Sequence, residues 1–461
     1  LVIASLDIGH WLFRKRMKHI LHFVFNNSLL LILGAAAAML WANIDFAGYR
    51  GVVAWPLLHS SYFGALHDGE RVLDLRYLVN DVLMALFFAV AGREVWIAML
   101  PGGDLHQVRR AAVPVLCAVG GMAGPAVVYI LGAVCLGREG ELGRGWAIPT
   151  ATDIAFSYLV AKMIFGRGHA AVTFLLLLAI ADDALGMGVL AVFYPQEPVH
   201  AAWLLLSLGA VGVGLGFRAL RIRRFPWYLL VPGAISWIGF ALSGLHPALG
   251  LLPIVPLVPH VHPFRFRPSW NLANPSDMDS FEYWLRNPVE VILGLFALCN
   301  AGLPLGGLDA GQLSVSLLVL AALLIGKPLG IVLAGLASVK LLRLRTTLSW
   351  AQMLVVSCAA GIGFTVAIFV ATVAFAPGPI ADAAKLGAVA SFVAGAVAWA
   401  VAKAAGVSRR PLVEPPTALK GKPTIDPACL SAQWGSQLDV LTLHCPETWH
   451  PDFSPQRRRH V

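Results

Sequence analysis

The sequence predicts an all-α protein that crosses a lipid bilayer many times, and three observations carry that reading. First, 58% of its 461 residues are hydrophobic and only 13% are charged, with a mean hydropathy of +0.74, whereas soluble domains carry roughly 25% charged residues. Second, apolar stretches of spanning length, or slightly less, recur twelve times. Third, Lys and Arg crowd into alternate connections between those stretches. The net charge of +9 follows from that placement and needs no polyanionic partner, so nucleic-acid binding is set aside.

Taken in order, the chain opens with a basic segment, 1–27, containing Arg14, Lys15, Arg16 and Lys18. The apolar run after it leads straight into further spans, so it reads as an anchor and not as a cleaved signal. The expected spans lie near 28–42, 78–98, 111–136, 147–165, 171–194, 201–218, 227–243, 246–259, 288–306, 312–335, 348–375 and 384–404. Together they make a twelve-span domain, 28–404, that takes the lipid bilayer as its solvent. With both termini assigned to the cytoplasm, the inner connections exceed the outer ones in Lys and Arg by better than three to one. The outer loop, about 43–77, holds Asp68-Gly69 between two flanks of strand character, a β-hairpin signal. The inner loop 260–287 is rich in Pro, Asn, Arg and Ser and reads as a flexible connector. The segment 405–461 is polar, Pro-rich and without sustained periodicity, and reads as a disordered cytoplasmic tail. Cys117, Cys135, Cys299 and Cys358 lie in apolar segments, while Cys429 and Cys445 lie in the tail. Neither a disulfide framework, a resident metal site nor a cofactor is implied.

Chemistry concentrates at a few mid-span positions. Asp182 and Asp183 sit side by side within the apolar run 171–194. One ionised carboxylate at such a depth costs roughly 2.5–3.5 kcal/mol, so an intramembrane acid is by default an ion or proton site. Neighbouring helix residues point about 100° apart, which gives the two acids different surroundings. Two spans are broken. Pro149-Thr150-Ala151-Thr152-Asp153 interrupts the fourth, and Gly361-Ile362-Gly363 interrupts the eleventh. Unwound backbone at membrane depth is tolerated only where it lines a cavity or is buried in protein. Lys327, at the centre of the tenth span, needs a carboxylate, and Asp153, Asp182 and Asp183 are the mid-membrane acids available. Asp81 in the second span reads as a structural or access residue, and Glu94 lies at that span's inner end. His246 opens the eighth span and is the side-chain type that titrates between pH 5 and 8.

In register along the chain, Pro149 to Phe156, Leu178 to Gly186, Phe296 to Gly302, Leu324 to Gly330 and Gly361 to Thr365 closely resemble the NhaA family of bacterial sodium/proton antiporters. The resemblance covers roughly Met17 to Val407. It implies twelve spans in inverted repeats, with the broken fourth and eleventh helices crossing near the ion site, an arrangement for which NhaA is itself a type example. It further implies a bacterial inner-membrane protein, a homodimer made partly by an outer hairpin at about 62–75, and exchange of two protons for one Na+ or Li+ in sodium and pH homeostasis. By position, Asp183 is the principal carboxylate for the transported Na+, and Asp182 joins it while partnering Lys327. Thr152 and Asp153 sit at the helix crossing, with Asp153 balancing half-helix dipoles. His246 and Glu282 match positions implicated in pH response. The chain departs from the family where Pro263-Phe264-Arg265-Phe266-Arg267 and a polar insertion precede Glu282, which implies a shifted or weaker pH response, and where Arg93 replaces a more usual apolar residue.

Three other classes fit less well. A solute symporter needs a roomier polar site, an intramembrane aspartyl protease needs a Gly-x-Gly-Asp motif that is missing, and a non-transporting sensor does not require both Lys327 and the Asp pair. Met17-Lys18-His19 resembles the beginning of family members, whereas residues 1–16 have no family counterpart. Protein lacking 1–16 is therefore expected to insert and to move ions in everted vesicles like the full chain; loss of either would give the segment a role.

Overall fold

The structure, a computed structural model, describes residues 29–407 except 61–62, 68–69, 102, 104, 107, 167, 260–279, 307–308, 345 and 347. The N-terminal segment, most of the inner loop and nearly all of the tail discussed above lie outside the described residues, as does the Asp68-Gly69 turn.

Helices account for most of what is described. After α1 (Leu29–Ile44) and the short α2 (Phe46–Val53), which Asp45 caps by accepting from Gly48 N at 2.9 Å, the chain forms a small sheet. It then runs through α3 (Leu75–Met99), α4 (Val108–Cys135), the pair α5 (Glu139–Thr150) and α6 (Ile154–Phe165), α7 (Ala170–Phe193), α8 (Ala201–Ala219) and α9 (Phe225–Ser243). The 3-10 segment α10 (Pro247–Leu257), α11 (Ser280–Asn300), α12 (Ala310–Lys340), the pair α13 (Trp350–Ala360) and α14 (Phe364–Ala374), and α15 (Pro379–Ala404) complete the bundle. Local chemistry sets several starts. Asp309 with Gln312, and Ser349 with Gln352, form reciprocal capping boxes at the heads of α12 and α13.

Among the described residues, seven helices are long and apolar enough to cross a membrane, or nine if each bent pair counts as one span. That is fewer than the twelve expected. The shortfall has local reasons: α1 has 16 residues, α10 runs only from Pro247 to Leu257 and is broken by prolines, and α11 carries Glu282, Arg286 and Glu290 in its first half. The bundle surface nevertheless has the character of a lipid-facing protein. Leu205 and Leu208 on α8 are 68% and 65% exposed, and Leu333 on α12 is 61% exposed, which water would penalise and hydrocarbon does not.

The hairpin expected at 62–75 is part of a three-stranded antiparallel sheet. Strand β3 (Glu70–Asp74) lies between β1 (Pro56–Ser60) and β2 (Ala65–His67), with Val72 opposite both His59 and Ala65. The extra strand escaped the sequence reading because Pro56-Leu57-Leu58-His59-Ser60 begins with proline and does not alternate. A leading proline is tolerated on an edge strand, where one face of its backbone pairs with nothing. An ion pair from Arg71 to Glu197 at 2.5 Å and the Phe63–Trp237 ring contact fasten the sheet to the end of the bundle.

Two features bring α12 to the centre. Its backbone meets that of α4 at glycines: a methyl group on Gly330 would lie 2.0 Å from the Gly120 carbonyl oxygen, and one on Gly124 would lie 2.3 Å from the Gly326 oxygen. Only glycine allows that approach, the membrane counterpart of a small-residue crossing. Just before Lys327 the helix widens into a π turn, Ala322–Gly326. Pro328 follows, and a proline lacks the N–H and crowds the preceding turn of an ordinary α-helix.

Candidate ion-binding site

The two broken helices cross at their breaks. The chain bends by 49° between α5 and α6 and by 49° between α13 and α14. At the crossing, Asp153 N donates to the Ile362 oxygen at 2.7 Å, Ser157 Oγ donates to the Ala359 oxygen at 2.9 Å, and Thr152 Oγ1 reaches the Ala360 oxygen at 3.3 Å. Apart from the Ala359 oxygen, which also accepts from Ile362 N at 3.3 Å, these are backbone groups that the interrupted helices leave without partners of their own. Gly361 and Gly363 are required for proximity, since their φ values of −67° and −107° are open to any residue. A Cβ on Gly361 would stand 2.9 Å from the Leu323 oxygen of α12, and one on Gly363 would stand 3.1 Å from the Ala151 oxygen.

Each charge at the crossing meets the helix end of opposite polarity. Asp153 caps α6, accepting from Phe156 N at 3.3 Å, and also caps α14, accepting from Thr365 N at 3.2 Å and from the Thr365 hydroxyl. One carboxylate thus faces two positive N-terminal ends. On the other side, Lys327 Nζ donates to the Thr150 oxygen at the C-terminal end of α5 at 2.5 Å. Pro149, just before that end, is buried in the last turn of α5.

Lys327 takes Asp182 as its counter-charge. Nζ lies 2.9 Å from Asp182 Oδ2, both side chains are almost wholly buried, and Thr152 Oγ1 donates to the same oxygen at 2.7 Å. The residues by themselves left three acids open as partners for this ammonium and the family resemblance implied Asp182; the fold pairs Lys327 with Asp182 and commits Asp153 to helix ends. Asp182 Oδ1 is buried without a hydrogen-bond partner among the described residues. Asp183, next along α7 and half-buried, accepts no hydrogen bond from a described residue. A buried acceptor left unsatisfied costs about 1–3 kcal/mol, so the site holds carboxylate oxygens that a small cation or a proton would satisfy.

The remaining candidates gather elsewhere. Asp81 Oδ1 and His246 Nδ1 approach to 3.6 Å, and Nδ1 also accepts from Ala248 N at 3.3 Å. Neither touches the Asp182–Lys327 pair. Both line a cavity of about 310 Å³ that reaches Asn80 and Arg71. Glu94 is half-buried on α3 beside Arg93, which is fully buried and donates from Nη1 to the Val255 and Val258 oxygens at 3.2 and 3.0 Å. Glu282 belongs to α11, and its side chain lies outside what the structure describes. Sequence reasoning missed Thr365 as a site residue. A hydroxyl one residue inside a helix that restarts after a break was the available signal, because that position offers both an O–H and an unpaired N–H. It also missed the reciprocal amide pair of Asn80 and Asn300, at 3.1 and 2.8 Å, which ties α3 to α11.

The family model described as Na+/H+ antiporter 1 matches residues 18–402. The chain is similar to the Na(+)/H(+) antiporter NhaA of Jannaschia sp. strain CCS1, 44% identical over 86% of this chain and 100% of that protein. It is also similar to the Na(+)/H(+) antiporter NhaA of Geobacter sulfurreducens, 40% identical over 86% of this chain and 100% of the relative, and to the Na(+)/H(+) antiporter NhaA 2 of Pelobacter propionicus, 40% identical over 82% and 96%.

The doubly shared Asp153 carboxylate makes Thr365 testable. Thr365→Val removes one donor to a buried carboxylate and is expected to destabilise the protein by about 1–3 kcal/mol, read as a lower thermal midpoint in detergent. Thr365→Ser keeps the hydroxyl and should recover most of that loss; equal damage from both substitutions would show that the methyl group, and not the hydrogen bond, matters.

Proposed function

The chain belongs to the Na+/H+ antiporter 1 family, which makes it an integral membrane transporter of Na+ and H+, and we propose that it extrudes Na+ or Li+ electrogenically, by alternating access, with two protons entering per cation. The observation that carries this reading is the buried Asp182–Lys327 pair, 2.9 Å apart, with the unbonded Asp183 beside it. In the proposed cycle a cation arriving from the inside is held by Asp183 and by the free oxygen of Asp182. It displaces the ammonium from Asp182; Lys327 gives up one proton and Asp183 another. When the site faces outside, the return of both protons ejects the cation. Thr152 and Asp153 hold the broken helices in register while the site changes access.

The fold reading that goes with this cycle takes α1, α3, α4, α5 with α6, α7, α8, α9, α10, α11, α12, α13 with α14, and α15 as twelve spans. The two bent pairs then fall in the middle of two inverted repeats, in a bacterial inner membrane with both termini cytoplasmic. Support comes from the matching 49° bends and from the Lys and Arg bias. For pH control, protonation of His246 Nδ1 would break its bond from Ala248 N and turn the 3.6 Å approach to Asp81 into an ion pair. Asp81, Glu94 and Glu282 are proposed to act in access and pH response alongside it.

Two measurements test the proposal. In proteoliposomes at several pH values, added Na+ or Li+ should drive proton movement that an imposed potential alters, since one net charge moved against 100 mV is worth about 2.3 kcal/mol. Asp183→Asn should reduce that exchange to the protein-free background while leaving a folded, inserted protein. Indifference of the wild type to potential would remove the two-for-one stoichiometry, and substantial exchange by the variant would remove Asp183 from the site.

We also propose that two protomers join through the outer sheet. Strand β3 is already paired on both sides, so the free edges belong to β1 and β2, and an isolated small sheet gains from a partner across a two-fold axis. Deleting residues 63–73 is expected to shift detergent-solubilised protein from dimer to monomer in light scattering and to spare exchange, because Asp153, Asp182, Asp183 and Lys327 all come from one chain. A dimer that survives the deletion would exclude the sheet as the contact.

A further inference from the structure

At the end of the bundle that carries the sheet, a second cavity of about 270 Å³ opens between α2, the start of α3, and the heads of α12 and α15. Arg50, Arg76 and Lys385 line it, with Asp382 as the acid among them. Lys385 is only 6% exposed and has no hydrogen bond or ion pair with a described residue, although it lines both this cavity and the one that reaches Asp81. Arg76 likewise lines both, and its Nε is buried without a hydrogen-bond partner among the described residues. Asp382 forms no ion pair with either of them, so the cluster keeps a clear excess of positive charge.

A third contribution comes from the backbone. Helix α15 begins at Pro379 after Gly378, which provides no side-chain cap, and Gly378, Pro379 and Asp382 all line the cavity. The positive end of a helix with unpaired N–H groups therefore faces the same space as the three basic side chains. A largely buried lysine and a buried guanidinium nitrogen, neither hydrogen-bonded to a described residue, are unusual, because such groups normally find an acceptor. The missing acceptor must be anionic and must offer several oxygens to donors that arrive from different helices. A phosphate group fits that demand: its tetrahedral oxygens match the planar fork of Arg and the point charge of Lys together.

We propose that Arg50, Arg76 and Lys385, with the head of α15, bind a phosphate group at this end of the protein. Its depth suits either a lipid headgroup or a free anion. Leu40 and Ile44 on α1 are 65% and 76% exposed below Arg50, and Trp41 and Trp55 are exposed nearby, the pattern of a helix passing from hydrocarbon into the headgroup layer. This site is separate from the carboxylates that bind the transported cation and carries the opposite charge.

Native mass spectrometry of the full-length protein in detergent, with inorganic phosphate in one arm and phosphatidylglycerol in the other, tests the site. One bound phosphate group per chain is expected from at least one arm; a lipid adduct that millimolar inorganic phosphate does not displace identifies the headgroup, and an inorganic adduct identifies the free anion. The double variant Arg76→Gln, Lys385→Gln should weaken binding at least tenfold. Since Lys385 is buried, Arg50→Gln at an exposed position supplies the variant whose folding is not in question, and it should weaken binding about threefold. Asp382→Asn should act in the opposite direction and tighten binding severalfold. Failure of the wild type to bind in either arm, or equal binding by wild type and the double variant, overturns the proposal, as would weaker binding by Asp382→Asn.

Discussion

The interaction on which this structure depends is the ion pair between Lys327 and Asp182, formed where water cannot solvate either partner. Two charges removed from water repay their desolvation only if their geometry is good and their remaining hydrogen-bonding capacity is used. The surroundings supply that use on the ammonium side, through the Thr150 carbonyl, and on one carboxylate oxygen, through Thr152. They leave the other oxygen of Asp182 unpaired. A pair optimised for stability alone would satisfy both oxygens; here one acceptor next to Asp183 stays open to a proton or a small cation.

Breaking two helices is the means by which the site is furnished. A continuous helix consumes its own carbonyls and N–H groups and has none to offer; an interrupted one exposes both kinds, with opposite polarity, at the middle of the membrane. Here the exposed groups are shared out with little left over. Asp153 serves the N-terminal ends of α6 and α14, Lys327 serves the C-terminal end of α5, and the hydroxyl of Ser157 serves the end of α13. Glycines at 326 and 330 let α12 lie against α4 at backbone distance, and Gly361 lets the other break approach α12. The position of the Lys327 ammonium is therefore fixed by contacts from both neighbours.

At the sheet end the electrostatics reverse. The centre of the protein concentrates carboxylates around one lysine, whereas the cavity at the heads of α12 and α15 gathers Arg50, Arg76 and Lys385 around one acid, Asp382.

The sequence by itself determined the membrane class, the position of most helices, the two breaks and the presence of Asp182, Asp183 and Lys327 at mid-span, because period, composition and the cost of a buried charge are properties of a local stretch. Residues 149–153 and 361–363 were legible as breaks for the same reason: proline and glycine act on their own neighbours. Which acid Lys327 would take was open to local reading, as three were in range; the family resemblance implied Asp182 for the ammonium and Asp153 for the helix ends, and the crossing of four chain segments supplies the physical reason for that division. The strand at 56–60, the bond from Thr365 to Asp153 and the meeting of Arg50 with Arg76 and Lys385 were equally hidden. Each joins residues far apart in the chain, and the energy that selects one partner over another exists only once the helices have packed.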